Sequence, residues 1–146
     1  MFKHILIPTD GSAVALKAIV AGIAFAQEVD ARVTGYYALP EPHVQHSADN
    51  DLDREIAARF AQRAQEEAAV FLAVIGDEAR ARHVECDLLM TQAQTPYRGI
   101  IDAARDRGCD VIFMASHGRS GLPGQIMGSV TQKVLTLSTI PVLVYR

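Results

Sequence analysis

Residues 114–135 read MASHGRSGLPGQIMGSVTQKVL, where an apolar segment is followed by a glycine-rich loop and then by a helix-like segment. Glycines stand at positions 118, 121, 124 and 128 of this loop. Glycine reaches backbone conformations that other residues avoid, and it lets a ligand approach the main chain closely. The stretch therefore predicts a strand–loop–helix unit whose loop either holds a ligand or serves as a flexible connection.

The rest of the chain repeats this alternation of strand and helix. Short apolar runs predict strands at 2–8, 31–39, 84–90, 110–116 and 140–146. Apolar residues at helical spacing predict helices at 12–28, 51–75, 96–107 and 128–138. The apolar set of the second helix includes Leu52, Ile56 and Phe60. This order predicts an α/β fold, an open doubly wound parallel sheet with helices on both faces, in a single domain spanning 1–146.

The composition argues against several classes of function. The net charge is −3 and no run of lysine or arginine occurs, so neither nucleic acid nor a membrane surface is an expected partner. No apolar stretch approaches the roughly 18 residues of a membrane-spanning helix. The segment MFKHILIPTD lacks the features of a signal peptide, and we expect a cytoplasmic protein. Cys86 and Cys109 have no zinc-type spacing and are interpreted as small buried or half-buried residues.

The glycine loop has the chemistry of an anion site. It leaves the carboxyl end of the fourth predicted strand, where ligands bind in open α/β sheets. It leads into a helix whose first N–H groups and positive dipole end attract negative charge. Ser129 can cap this helix or donate its hydroxyl to phosphate, and Arg119 lies in the same loop. The loop matches neither the Walker motif nor GxGxxG, so these residues alone leave phosphate binding and simple flexibility both open.

Three motifs together resemble the universal stress protein family. Gly118 is followed, after nine residues, by Gly128-Ser129, which is similar to the spacing in the family's nucleotide-binding members. ILIPTDGS at 5–12 places Asp10 directly after the first strand, and the chain ends in IPVLVYR at 140–146. The resemblance covers the whole chain. It implies a five-stranded sheet of order 3-2-1-4-5 and a homodimer formed through the C-terminal strand 140–146.

The resemblance also implies a binding site for ATP or a related adenine nucleotide, with Mg²⁺ as an accompanying ion that the protein alone does not ligate. Asp10 would lie near ribose or adenine, and Tyr37 and Ala38, at the end of the second strand, would line the adenine. The glycine loop and the helix after it would hold ribose and phosphates. The implied binding residues are Pro8, Thr9, Asp10, Tyr37, Ala38, Met114, Ala115, His117, Gly118, Arg119, Gly128, Ser129, Val130 and Thr131.

Ala115 departs from the family pattern, which has glycine at this position. If the position requires a positive φ, alanine is strained there by about 1–2 kcal/mol. If the glycine instead makes room for a ligand, the methyl group crowds it. If the backbone is simply extended, the alanine is harmless. Because Ala115 ends a predicted strand, we expect the extended conformation.

Several polar residues have plainer interpretations. Asp10 lies in PTDGS, a turn and helix-start signature, and Ser12 is expected to cap the first helix. Ser116 and His117 look like half of a catalytic pair, but neighbours at a strand end are expected to point in different directions. We therefore assign no catalytic residue.

Two further stretches carry weaker signals. The irregular segment PEPHVQHSADN at 40–50 is expected to be exposed. Within it, His43 and His46 have a loose metal-ligand spacing, but without a third ligand they are interpreted as surface histidines. Tyr97 and Arg98 follow the third strand and could touch a ligand, although nothing in the sequence requires it.

Together these features favour a cytoplasmic stress-response protein that binds an adenine nucleotide as a regulatory signal. One alternative is a slow ATP hydrolase, which would need a metal-holding carboxylate and a group that positions water. Asp10 is the one acid that the motifs place near the crevice. The other alternative is a nucleotide-free dimeric interaction module, which the departure at Ala115 supports.

Overall fold

The computed structural model describes residues 1–42, 50–119, 121, 124 and 126–146. The segment 43–49, with His43 and His46, lies outside the described residues. The strands are β1 (His4–Pro8), β2 (Arg32–Pro40), β3 (Cys86–Ala93), β4 (Val111–Ala115) and β5 (Val142–Tyr145). The helices are α1 (Ala13–Glu28), α2 (Asp51–Ala81), α3 (Pro96–Asp106) and α4 (Ser129–Leu137). The strands are parallel and lie in the order β3-β2-β1-β4-β5, which confirms the expected α/β fold.

The sheet separates two hydrophobic cores. On one face α1 and α2 pack against alternate strand residues such as Ile5, Ile7 and Phe113. On the other face α3 and α4 pack against the intervening strand residues, which include Leu6 and Ile112. Because β1 and β4 lie in the middle and are covered on both sides, all but the last residue of each is buried, which explains their continuous apolar sequences.

The first helix begins as the sequence indicates. Ser12 has an extended backbone, and its hydroxyl accepts a hydrogen bond from the Ala15 N–H at 3.2 Å, so the expected cap is confirmed. The inward face consists of small and branched residues, including Ala18, Ile19 and Ile23, while Leu16 and Val20 remain exposed.

The second helix departs from the prediction in length and in packing. It runs to Ala81, past the predicted end at 75, and its buried face begins only at Ala68. Leu52, Ile56 and Phe60, whose spacing indicates a core face, are each more than half exposed. A 31-residue helix is about 46 Å long, whereas the nine-residue strand β2 spans about 30 Å, so the first half of α2 extends beyond the sheet.

Charged side chains help to solvate this extended half. Arg59 donates to Glu55 at 2.7 Å one turn away, an i,i+4 ion pair on the exposed face. At the opposite edge of the sheet, β5 pairs with β4 on one side only, and its residues are half-buried. None of the helices in the described part of the chain combines the length and apolar character needed to cross a membrane.

His4 is a buried titratable residue at the amino end of β1. Its Nε2 lies 2.8 Å from Thr34 Oγ1, and Nδ1 has no hydrogen-bond partner among the described residues. Burial lowers the pKa of His4 below its ordinary value of 6.5, and the positive charge of Arg32 acts in the same direction. The folded protein therefore keeps this imidazole neutral at pH values where the unfolded chain protonates it.

We predict that stability falls as the pH drops below about 6.5, because the unfolded chain then binds more protons at His4 than the folded chain. Denaturant unfolding of wild type at pH values between about 5.5 and 7.5 measures the slope of the unfolding free energy. A His4→Gln variant should show a flatter slope in this window. His83→Gln, at an exposed position, is the matched control, and equal slopes for wild type and His4→Gln would contradict the prediction.

Candidate functional site

A cleft opens at the carboxyl ends of β1 and β4, where the strand order reverses. Its volume is about 330 Å³, in the range of small-molecule binding sites. All of the residues that the resemblance implies line this one cleft, namely Pro8, Thr9, Asp10, Tyr37, Ala38, Met114, Ala115, His117, Gly118, Arg119, Gly128, Ser129, Val130 and Thr131. The further lining residues are Ala15, Tyr36, Pro96 and Ile100, which the sequence analysis did not identify.

Asp10 ties together the loops that follow β1 and β4. Its Oδ1 accepts from the Ser12 N–H at 2.9 Å, and its Oδ2 accepts from the Arg119 N–H at 2.8 Å. The first bond closes a turn of the kind that PTDGS indicates, while the second crosses the cleft mouth to the glycine loop. The carboxylate therefore positions both walls of the cleft.

Gly118 makes the second bond possible. A Cβ atom added at Gly118 would collide with Oδ2 of Asp10. A larger residue here would have to displace the carboxylate of Asp10, whether or not a ligand is bound.

The glycine loop is closed where α4 begins. The Gly128 N–H donates to the Ser116 carbonyl at 2.7 Å, and Thr131 donates its hydroxyl to the Ala115 carbonyl at 2.9 Å. Gly128 is the N-cap residue and makes no side-chain cap, so the suggestion that Ser129 caps this helix is wrong. Ser129 is instead the first helical residue and is exposed.

The start of α4 presents main-chain donors to the cleft. Gln132 N–H bonds to the Gly128 carbonyl at 3.0 Å and is the first amide to bond within the helix. The amides of Ser129, Val130 and Thr131 precede it and have no acceptor inside the helix. Since all three residues line the cleft, this end of the site suits an anion.

Ala115 has the extended backbone expected for it. It is the last residue of β4, it pairs with Tyr145, and it does not have a positive φ. The alanine therefore causes no backbone strain, and its carbonyl remains available to Thr131. Of the three interpretations, positive-φ strain is excluded and the extended conformation is confirmed.

Another part of the cleft lining is apolar. Tyr36 and Ala38 stand on the same face of β2 and belong to one core cluster with Ile100, Met114 and Val130. Tyr36 is fully buried, and its hydroxyl lies 2.7 Å from Thr91 Oγ1. Burial raises the pKa of Tyr36, so this hydroxyl stays protonated. A flat apolar group fits this wall better than a charged one.

Tyr37 does not share this wall. Because side chains alternate along a strand, its ring lies on the other sheet face and stacks on Phe71 of α2, with 6.0 Å between ring centroids. We expected Tyr37 and Ala38 to end strand β2. The strand instead continues to Pro40, so this expectation is wrong. The tyrosine on the Ala38 face is Tyr36, and strict alternation along 36–38 would have identified it.

The rim on the Tyr37 side carries a group of charges. The Arg119 guanidinium lies 5.1 Å from the centroid of the Phe71 ring, and its Nη2 donates to Glu67 at 3.1 Å. The motifs gave no indication of Glu67, because it lies in the middle of a helix that is far away in sequence. Burial raises the pKa of Tyr37, the positive charge of Arg119 opposes this rise, and Glu67 adds to it.

The side chains of Ser116 and His117 are in contact. Ser116 Oγ lies 3.0 Å from His117 Nδ1, so the expectation that they point in different directions is wrong. The backbone leaves β4 after Ala115, and strand alternation no longer applies to this pair. Ser116 is buried and is not among the lining residues of the cleft, so its hydroxyl faces no space for a substrate.

The remaining candidates lie elsewhere. Tyr97 and Arg98 border a shallow depression beside α3 and α4 and do not line the main cleft. Cys109 is buried and Cys86 half-buried, which confirms their interpretation, and burial raises the pKa of the Cys109 thiol to about 11. Within the described residues, no group of three or more His, Cys, Asp or Glu side chains could hold a metal ion.

We predict that Gly118→Ala lowers the free energy of unfolding by about 1–3 kcal/mol, because the methyl group displaces the Asp10 carboxylate. Thermal or denaturant unfolding measures this loss. The loss should be smaller in an Asp10→Ala background, where the colliding atom is absent. Gly76→Ala is the matched control, since its Cβ would only contact Leu88 at an ordinary 3.4 Å. An equal loss with and without Asp10 would contradict the collision.

Comparison with known proteins agrees with this geometry. The chain is 30% identical to universal stress protein MJ0531 of Methanocaldococcus jannaschii, covering all of this chain and 83% of that protein. It is 28% identical to universal stress protein YxiE of Bacillus subtilis, with both chains fully covered. The solved structure of hypothetical protein MJ0577 superimposes with a TM-score of 0.84 at 29% identity, over 99% of this chain and 95% of that one.

Two more distant structures share the fold and were solved with nucleotides. One is a universal stress protein in complex with cAMP, at 21% identity and a TM-score of 0.72 over 99% of this chain and 97% of that one. The other is the Archaeoglobus fulgidus protein in complex with dAMP, at 18% identity and a TM-score of 0.62 over 100% of this chain and 98% of that one. The model of the universal stress protein family matches residues 1–146. The chain belongs to the universal stress protein family.

Proposed function

We propose that this protein is a cytoplasmic stress-response protein that binds ATP, or a related adenine nucleotide, in the cleft between β1 and β4. The observation that carries the proposal is that the cleft combines two chemically different surfaces. One consists of the amides at the start of α4, which have no acceptor inside the helix, and the other is the apolar wall around Tyr36. A nucleotide has a phosphate chain for the first surface and a flat base for the second.

The family supports the same class of ligand. Two members with this fold were solved with cAMP and dAMP, which are both adenine nucleotides. Their identity to this chain is low, so the choice of ATP rests on the resemblance of the glycine spacing. Any Mg²⁺ would be held mainly by the phosphates and by water, because Mg²⁺ commonly uses few protein ligands.

Regulatory binding fits the site better than catalysis. Both oxygens of Asp10 accept hydrogen bonds from main-chain N–H groups, so this carboxylate serves to hold the loops. Phosphoryl transfer to water would also need a group that positions the attacking water. The second acid at the rim, Glu67, is paired with Arg119. We therefore propose a bound nucleotide that acts as a signal.

A proline substitution tests the phosphate end of the site. Ser129 is the first residue of α4 and Gly128 before it is extended, with φ −77° and ψ 162°, so Ser129→Pro keeps the helix while removing one N–H. Loss of a hydrogen bond to a charged group predicts about 10- to 100-fold weaker ATP binding by calorimetry. Adenosine, which lacks phosphate, should bind equally well to both proteins.

Ser129→Ala is the matched control, because it removes the hydroxyl and keeps the N–H. It should weaken ATP binding less than Ser129→Pro. Native mass spectrometry of freshly purified wild type should show retained nucleotide. A folded wild type that retains none and that shows no binding of millimolar ATP would overturn the proposed function in favour of a nucleotide-free module.

We further propose that two copies associate through the C-terminal strand 140–146. Strand β5 forms the sheet edge, and edge strands present unpaired main-chain groups that a second copy can satisfy across a two-fold axis. Val144→Lys should shift the molar mass in sedimentation equilibrium from dimer to monomer, because it places a charge in the buried contact. Val70→Lys, on the exposed face of α2, should leave the mass unchanged. A monomeric wild type would contradict the proposal.

A further inference from the structure

An ion pair links the glycine loop to the middle of α2. Arg119 Nη2 and Glu67 Oε1 are 3.1 Å apart, and both side chains are about half exposed, at 51% and 50%. The guanidinium also lies over the Phe71 ring, one turn farther along the same helix. Arg119 is thus held against α2 by a charge on one side and by an aromatic face below.

The backbone of Arg119 and its side chain face different partners. Its N–H donates to Asp10, which fixes the residue at the mouth of the cleft. Its guanidinium extends to α2, where it pairs with a carboxylate of opposite charge. Among the described lining residues, Arg119 and Asp10 are those with permanent charge, so this guanidinium is the main positive group that a phosphate chain could recruit.

We propose that Glu67 is a positioning residue that competes with the phosphates of a bound nucleotide for Arg119. This inference rests on the proposed function and adds a determinant of its selectivity. In the structure Glu67 holds the guanidinium at the rim; a polyphosphate that enters the cleft takes it over. The site then favours nucleotides whose phosphate charge suffices to displace Glu67.

The strength of the pair suits such an exchange. A half-exposed ion pair is weak and screened by salt, so it can be broken without disturbing the fold. A phosphate chain carries more negative charge than one carboxylate, and arginine binds phosphate oxygens through two parallel hydrogen bonds. Neutralising Glu67 therefore removes a competitor and also a negative charge beside the bound phosphates.

Calorimetric titration of a Glu67→Gln variant tests this inference. The variant should bind ATP about two- to five-fold more tightly than wild type, the range that an exposed ion pair represents. Adenosine should bind equally to both, because it does not recruit Arg119. If Glu67 had a purely structural role, Glu67→Gln would change the affinities for ATP and adenosine alike. Glu66→Gln is the matched control, since Glu66 accepts from Gln62 at 3.0 Å and does not contact Arg119.

The Arg119→Ala background separates two ways in which Glu67 could act. If Glu67 competes for Arg119, most of the gain from Glu67→Gln disappears when Arg119 is absent. An equal gain in ATP affinity in both backgrounds would overturn the competition, because it would mean that Glu67 only repels the phosphates through space. Unchanged or weaker ATP binding by Glu67→Gln would overturn it as well, the latter by showing that Glu67 holds Arg119 in its binding position.

Failure of this inference is distinguishable from failure of the proposed function. If wild type binds ATP and adenosine but Glu67→Gln changes neither, the inference fails alone. If neither wild type nor Glu67→Gln binds either ligand, both fail.

Discussion

The carboxylate of Asp10 is the contact on which the cleft depends. One oxygen fixes the turn that starts α1, and the other holds the glycine loop at Arg119. Strands β1 and β4 are adjacent in the sheet but far apart in the sequence, and the loops that follow them would diverge beyond the last strand residues without this contact. The bridge keeps the two loops together at the point where the sheet reverses its order, and the cleft forms between them.

This bridge changes how the glycines of the loop are understood. A Cβ added at Gly118 would collide with Asp10, and a Cβ added at Gly128 would lie 3.1 Å from the α-carbon of His117. Both positions would therefore resist side chains even without a ligand. Ala115 lies under no such constraint, because it is an extended strand residue. The departure from the family's glycine pattern thus falls where the structure does not require glycine.

The sequence was informative wherever a short-range pattern determines structure. The alternation of strands and helices predicted the α/β fold, while the strand order and the residues that line the cleft came from the family resemblance carried by the glycine spacing, ILIPTDGS and IPVLVYR. Prediction from the sequence failed where a structural feature depends on distant parts of the chain. The exposure of Ile56 and Phe60 follows from the length of α2 relative to the sheet, and the position of Glu67 beside Arg119 follows from how that helix lies. Neither is visible in a local window.

The charges around the cleft have a consequence for its ligand. The carboxylate of Asp10 accepts from the Arg119 amide and Glu67 pairs with its guanidinium, so the protein itself offers little net positive charge at this site. An anion alone would have to rely on the neutral amides at the start of α4, which act over a short distance. A ligand that also places an apolar group against the wall around Tyr36 gains a second, independent contribution from burial. A site of this kind favours a molecule that combines a flat base with phosphates over either part alone.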